Sequence, residues 1–252
     1  MDEYVLTLVV RVEKNARPAQ TDALETAARA VLAILADERS TADGTTAGEM
    51  TGERSTGETS TGEGEWAGAM HAWQDDRIRK IVKRARGAEW RRTEGIPGIT
   101  VTGTGAGTEP PVDAEEPVVV AEVRVFPPTP MDDVPAEFAN LQVSGTDFAD
   151  SGELPPPAPG VPVLWINPDL EMSSGKAMAQ CGHAAQLAWW ELSAEARKDW
   201  MASEFALAVR TASPAQWRRL LTSGLPVVQD AGFTEVAPGS RTVIAAHPLL
   251  TR

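Results

Sequence analysis

VPVLWINPDLEMSSGKAMAQCGHAAQLAWW, residues 161–190, contains the strand-to-helix passage on which the fold turns. VPVLWIN reads as a strand, and GKAMAQCGHAAQLAWW as a helix. Ser173 and Ser174 before it are cap-type residues, and Gly175 lets a ligand approach the backbone. At 100° per residue, Lys176, Gln180, His183 and Leu187 fall within about 60° of one another. Ala177, Cys181, Ala184 and Ala188 form a neighbouring stripe of small residues. The small stripe is expected to pack on a sheet and the polar stripe to face a cleft. Helix AEARKDWM, strand FALAVR, helix PAQWRRLLTSG and strands LPVVQDA and RTVIAAH follow. This alternation indicates an α/β sheet covered by helices.

Upstream, VLTLVVRV reads as a strand and DALETAARAVLAILA as a helix capped by Thr21. Residues 40–65 repeat Ser, Thr, Gly and Glu with almost nothing to bury, and read as a flexible insertion. A basic helix is expected around Arg77 to Arg92, then a short strand near Gly98 to Thr102 and a strand in VVVAEVRVF. Residues 128–160, rich in Pro, Asp and Gly, read as an interdomain connection. ARGAEWRR at 85–92 matches ASPAQWRR at 212–219 in five of eight positions, and each is followed by Gly, an aliphatic and Pro. The expected fold is therefore α/β, with two tandem three-layer domains at 1–127 and 161–252. Each is a small mixed sheet of about four strands covered by helices, the first a copy of the second. Pairing Arg11 with Pro168 sets Ala19 opposite Lys176, Ala23 opposite Gln180, Thr26 opposite His183 and Val101 opposite Asp230, so the first copy keeps the scaffold but not the polar residues.

The net charge is -13, but its distribution matters. Residues 105–160 carry 1 basic against 11 acidic side chains, residues 161–252 carry 8 against 8, and residues 66–104 carry 8 against 4. The stretch 66–104 is thus the cationic surface candidate. The single Cys181 excludes an internal disulfide and a cysteine-built zinc site. His71, His183 and His247 fall at no metal-ligand spacing, so no metal or other cofactor is expected. No run reaches the roughly 18 apolar residues of a membrane span, and a cytoplasmic protein is expected.

NPDLEMSSGKAMAQCGHAAQ (167–186) contains D-L-x-M-x-x-G-K-x-x-A-Q-C-x-H-A-A, and QDAGFTEVAPGSRTVIAAHP (229–248) contains D-A-G-x-T-x-V-x-P-G-S-x-T. In these two blocks the chain resembles the type II peptidyl-tRNA hydrolases. The resemblance spans about 90 residues, from Val161 onward, and implies an ester hydrolase acting on peptidyl-tRNA. A phosphate-binding P-loop fails because Ala177 replaces its metal-binding hydroxyl and its first glycine is absent. A Cys181–His183 dyad fails because two helical residues lie about 200° apart.

Cleaving an acyl ester needs an activated water and a stabilised oxyanion. The expected catalytic residues are Lys176 with neighbouring N–H groups at the oxyanion or terminal phosphate, Asp230 on water, and Thr234 placing that water or the ribose. Ser174, Gly175, Gln180, His183, Ser240 and Thr242 are expected to line the pocket, His183 as a hydrogen-bonding residue. Three positions depart from common versions of the family: Ser174 and Phe233 stand where lysine and arginine are frequent, and Glu235 where glutamine is. Each removes positive charge or adds negative charge, so tRNA affinity is expected to be lower or to come from the basic stretch of the first domain. Relatives often pair as homodimers, so the resemblance implies an intramolecular pseudo-dimer of the two domains here. Two alternatives stay open: a non-catalytic RNA-binding protein on the same fold, and a hydrolase of another small acyl ester or amide.

Overall fold

The structure is a computed structural model that describes residues 3–41, 64–109 and 118–250. The insertion expected at 40–65 lies, apart from its ends, outside the described residues.

The first half runs β1 (Tyr4–Arg11), α1 (Gln20–Ala36), α2 (Ala67–Gln74), β2 (Lys80–Ala85), α3 (Ala88–Glu94), β3 (Ile99–Thr102) and β4 (Glu122–Val125). The short β5 (Thr129–Pro130) and α4 (Ala136–Ala139) lie in the connecting segment. The second half runs β6 (Val163–Ile166), α5 (Ser174–Glu191), α6 (Ala194–Ala202), β7 (Ala208–Thr211), α7 (Pro214–Leu220), β8 (Val227–Gln229) and β9 (Arg241–Ala246).

The sheets are ordered β2-β1-β4-β3, with β5 added beside β1, and β7-β6-β9-β8. In each, the first two strands are parallel and the other pairings antiparallel. The two mixed α/β sheets expected from the sequence are therefore present, with one topology between them. Both also carry a tryptophan on the face away from the long helix. Val9 packs with Trp90 on one sheet, and Trp165 with Trp217 on the other.

This geometry moves the internal alignment by one residue. Ala85 is opposite Arg11, whereas Thr211, the residue before Ala212, is opposite Ile166. Matching Ala85 with Ala212 therefore sets Arg11 against Asn167 rather than Pro168. Side chains alternate with period two, so the earlier pairing would have turned every strand residue to the wrong face. Starting α1 and α5 together, at Gln20 and Ser174, then sets Asp22 against Lys176, Thr26 against Gln180 and Arg29 against His183.

The long helices pack on one another, and a single hydrophobic cluster joins Leu6, Leu8 and Val31 of the first half to Met178, Cys181 and Ala185 of the second. The crossing is close at Gly182, where a Cβ would stand 2.8 Å from Val31 Cγ2. Cys181 is fully buried here, and burial pushes its thiol pKa up.

Two local expectations are corrected. Thr21 does not cap α1: its N–H and hydroxyl donate to the Asp150 carboxylate at 2.8 and 2.7 Å. The basic stretch is a turn, a strand and a short helix. Arg77, Lys80 and Arg84 are spaced as on a helical face, but Ile81 and Val82 favour the extended strand that pairs with β1. Residues 128–160 bind both halves closely: Phe138 and Phe148 are buried, and the Phe148 N–H donates to Ser174 Oγ at 2.9 Å. Among the described residues no helix is long and apolar enough to cross a membrane.

Candidate active site

The polar stripe of α5 faces a cleft of about 530 Å³. Lys176, Gln180, His183 and Leu187 line it on one side, together with Asp230 and Thr234 from the loop after β8. The opposite wall comes from the first half, chiefly Arg77 to Lys83, with Met131, Val134 and Val143 of the connecting segment.

Asp230 is the hub. Its Oδ2 accepts from Lys176 Nζ at 2.5 Å and from Gln180 Nε2 at 3.0 Å, while Oδ1 accepts from the Gly232 N–H at 2.8 Å. Thr242 donates to Gln180 Oε1 at 2.5 Å, which fixes the amide so that its NH2 points at the carboxylate. Lys176 Nζ also donates to Thr234 Oγ1 at 3.1 Å. An ammonium has three N–H donors; two are used in these bonds, and the third is available to the cleft. Oδ2 already takes two donors, so Oδ1, with one, is the oxygen that can also bind a water. The side chains of the pair are 11% and 8% exposed, so the charges act where water screens them weakly.

The remaining expected residues divide. His183 lines the cleft, while Thr242 is buried behind Gln180. Gly175 also borders the cleft, but a Cβ there would meet Thr146 Oγ1 at 2.5 Å, so the glycine makes room for the connecting segment rather than for a ligand. Ser174 turns away: it is buried and its Oγ accepts from the Phe148 N–H. Ser240 contributes its backbone carbonyl, which accepts from the Asp230 N–H at 2.9 Å and holds the loop. The helix start is not open to an external anion in the manner expected. Ser173 Oγ takes the Lys176 N–H at 3.2 Å, and the Ser173 N–H and hydroxyl both donate to Glu235 at 2.7 Å. The chain places its own carboxylate there, an arrangement the helix dipole favours.

Sequence reasoning missed Lys80. Its Nζ lies 3.1 Å from His183 Nδ1, 2.5 Å from Gln186 Oε1 and 4.7 Å from the centre of the Trp73 ring. Burial draws the Lys80 pKa well down. His183 is held well below the usual histidine range, first by burial and then by Lys80 and Lys176, and so stays neutral. Where Lys80 donates to Nδ1, the ring proton sits on Nε2. Arg79 and Arg77 stand 4.8 and 5.9 Å from the centre of the Phe233 ring. Two guanidinium groups of the first half thus approach the position where relatives frequently carry an arginine. The basic composition of residues 66–104 was the available signal; its placement was not.

A second cleft occupies the corresponding place in the first half, lined by Glu25, Arg29, Thr104 and residues 153–158. Behind its wall the fully buried Asp22 accepts from the backbone N–H groups of Thr104 and Ala121 at 2.8 and 2.6 Å.

An α/β fold bearing a lysine–carboxylate pair at the start of α5 defines a class, and comparison with known proteins narrows it. Residues 161–251 match the family model described as peptidyl-tRNA hydrolase PTH2. A peptidyl-tRNA hydrolase of Pyrobaculum aerophilum is 37% identical over 97 residues, covering 34% of this chain and 81% of that protein. Peptidyl-tRNA hydrolase 2, mitochondrial, is 38% identical over 96 residues in Bos taurus and 35% in Homo sapiens, covering 34% of this chain and 54% of each relative. The chain belongs to the peptidyl-tRNA hydrolase PTH2 family. It spans about half the length of the mammalian relatives it matches.

Proposed function

We propose that the protein hydrolyses the ester between peptide and tRNA. The observation that carries this reading is the convergence of Lys176, Asp230 and Thr234, two of them 54 and 58 residues from the lysine in sequence, at hydrogen-bond distance in one cleft. The third N–H of Lys176 would meet the oxyanion, and Asp230 Oδ1 would hold the attacking water. Thr234, accepting from Lys176, keeps its own O–H to donate to that water or to the ribose. His183 would donate from Nε2 without titrating. Burial of the ion pair favours this electrostatic work, since preorganised donors act most strongly away from bulk water.

The first half has the topology of the second without its site residues, which supports reading it as a degenerate copy. The core shared by α1 and α5 supports the pseudo-dimer. Arg77 and Arg79 at the cleft mouth are cations suited to tRNA phosphates, and they offset the acidity of Glu235. The single buried thiol is in keeping with a cytoplasmic setting.

Purified protein is incubated with peptidyl-tRNA beside folded Lys176→Ala and Asp230→Ala variants, and tRNA release is followed. Release by the parent and loss in both variants is expected. A parent that binds tRNA without releasing it would favour the non-catalytic reading.

A further inference from the structure

The cleft wall contributed by the first half ends in a strand edge. β2 is the outermost strand of its sheet, bonded to β1 on one side. Leu6 N–H donates to Arg79 O and Val12 N–H to Ala85 O, so the odd-numbered residues of β2 turn toward β1. Backbone groups alternate along a strand. The even-numbered residues therefore turn outward, and Arg84 does so visibly, donating its N–H to Gln142 O at 2.9 Å. Lys80 and Val82 point the same way, and both line the cleft. Among the described residues the Val82 N–H has no hydrogen-bond acceptor, and a backbone donor facing a cleft can take one from a bound molecule.

The second half shows what this edge can hold. Val209 is the counterpart of Val82, since one lies opposite Leu164 and the other opposite Leu8. The Val209 N–H, also directed outward, donates to Glu25 Oε1 at 2.9 Å. In the helix alignment Glu25 corresponds to Ala179, which lines the working cleft and has no acceptor in its side chain. The same backbone donor is thus filled by a carboxylate oxygen of the chain in one cleft and left open in the other.

We infer that the edge of β2 pairs with the peptide main chain of the substrate: the Val82 N–H donates to the carbonyl that acylates the terminal amine, and Lys80 O accepts the amide N–H beside it. This rests on the proposed hydrolysis of peptidyl-tRNA and deepens it. Main-chain pairing with an exposed strand edge is indifferent to side chains, which suits an enzyme meeting many peptide sequences. It also separates peptidyl from aminoacyl esters, because a free α-amine carries no carbonyl for Val82 and brings a charge to a site already holding Lys80 and Lys176. The apolar neighbours Ile81, Met131, Val134 and Val143 leave room for side chains without selecting among them.

The probes are two amide-linked, non-hydrolysable analogues of the tRNA terminus, N-acetylphenylalanyl-3′-amino-3′-deoxyadenosine and its free-amine parent, titrated into the full chain and followed by amide NMR. The N-acetyl analogue is expected to shift the Val82 amide proton downfield and slow its exchange, while the free amine leaves it unmoved. Binding that moves Thr234 and Gly232 but not Val82 would overturn the inference while leaving the catalytic reading intact. In parallel, Val82→Pro, which removes the outward N–H at an edge strand where proline is tolerated and also trims a core side chain, is expected to raise KM for peptidyl-tRNA about tenfold, near the worth of one hydrogen bond, with little change in kcat. Should that variant unfold, the NMR comparison decides alone; a folded variant with unchanged KM would also overturn the inference. Absence of hydrolysis by the parent, with the Val82 shift intact, would instead sink the hydrolase reading and keep the peptide-binding edge.

Discussion

Each half holds a carboxylate where its long helix meets the loops beside the sheet, but on opposite sides of that junction. In the first half Asp22 stands on the helix and is fully buried, tied to two backbone N–H groups of the facing loops. In the second half Asp230 stands on the loop and is tied to two side chains of the helix. Backbone donors are fixed and leave the carboxylate with a structural task. A lysine and an amide keep N–H groups and lone pairs facing a cleft, where a substrate can use them. One scaffold thus supports both a joint and a site, and the difference lies in who donates to the carboxylate.

Replacing each carboxylate is the most direct way to break this contrast. Asp230→Ala is expected to lower kcat/KM per folded molecule by about a hundredfold to a thousandfold, comparable to losing a principal transition-state contact, and to lower the denaturant midpoint as well, because Lys176 loses its buried partner. Asp22→Ala should cost stability alone. It strands the buried Ala121 N–H at about 1–3 kcal/mol and frees that of Thr104, read as a lower urea midpoint with hydrolysis per folded molecule preserved. Equal loss of activity in both variants would end the distinction between joint and site.

The helix crossing comes next. Gly182→Val forces a side chain against Val31, and overpacking of this kind costs about 1–3 kcal/mol. Because the same crossing aligns the two cleft walls, KM is expected to rise as well, measurable in steady-state kinetics.

The electrostatics sharpen the comparison further. An unfolded histidine takes up a proton below about pH 6.5, whereas burial, Lys80 and Lys176 keep folded His183 neutral. The folded pKa is depressed, so the stability His183 contributes is fully present above about pH 6.5 and is lost as pH falls toward its folded value. His247 is depressed by burial in the same direction, so the titration of His183 is best followed by NMR on its own ring. Lys80→Met removes one repelling cation. The His183 pKa should then rise and its proton become shared between Nδ1 and Nε2.

Glu235→Gln is the mildest change. It withdraws an anion worth about 0.3–1 kcal/mol at a helix start and removes a negative charge from the cleft. A slightly lower midpoint with tighter tRNA binding is expected, and the gain should shrink as salt is raised.

Much of the second half was legible because its signals are local. The strand, the capped helix and the polar stripe all fall within residues 161–190, and the stripe does face a cleft. Lys176 and Asp230 were paired by motif resemblance, and the structure puts them 2.5 Å apart. What escaped was non-local or ambiguous in period. Lys80 meets His183 across 103 residues. The strand holding Lys80 imitates a basic helix because Arg77, Lys80 and Arg84 recur at helical spacing. Ser174 and Gly175 looked like ligand-facing residues until the connecting segment, read as mere linkage, brought Phe148 and Thr146 against them. The internal alignment slipped by one residue because it was counted across loops, where nothing fixes parity; strand pleating fixes it.

The core that α1 and α5 share has a further consequence in how the molecule responds to dilution. A cleft walled by two separate subunits opens as concentration falls below their dissociation constant. Here both walls belong to one chain, so their association is unimolecular and has no such constant. Activity per molecule should stay level down to the lowest enzyme concentration that can be assayed, and a substitution in one wall never appears in the other.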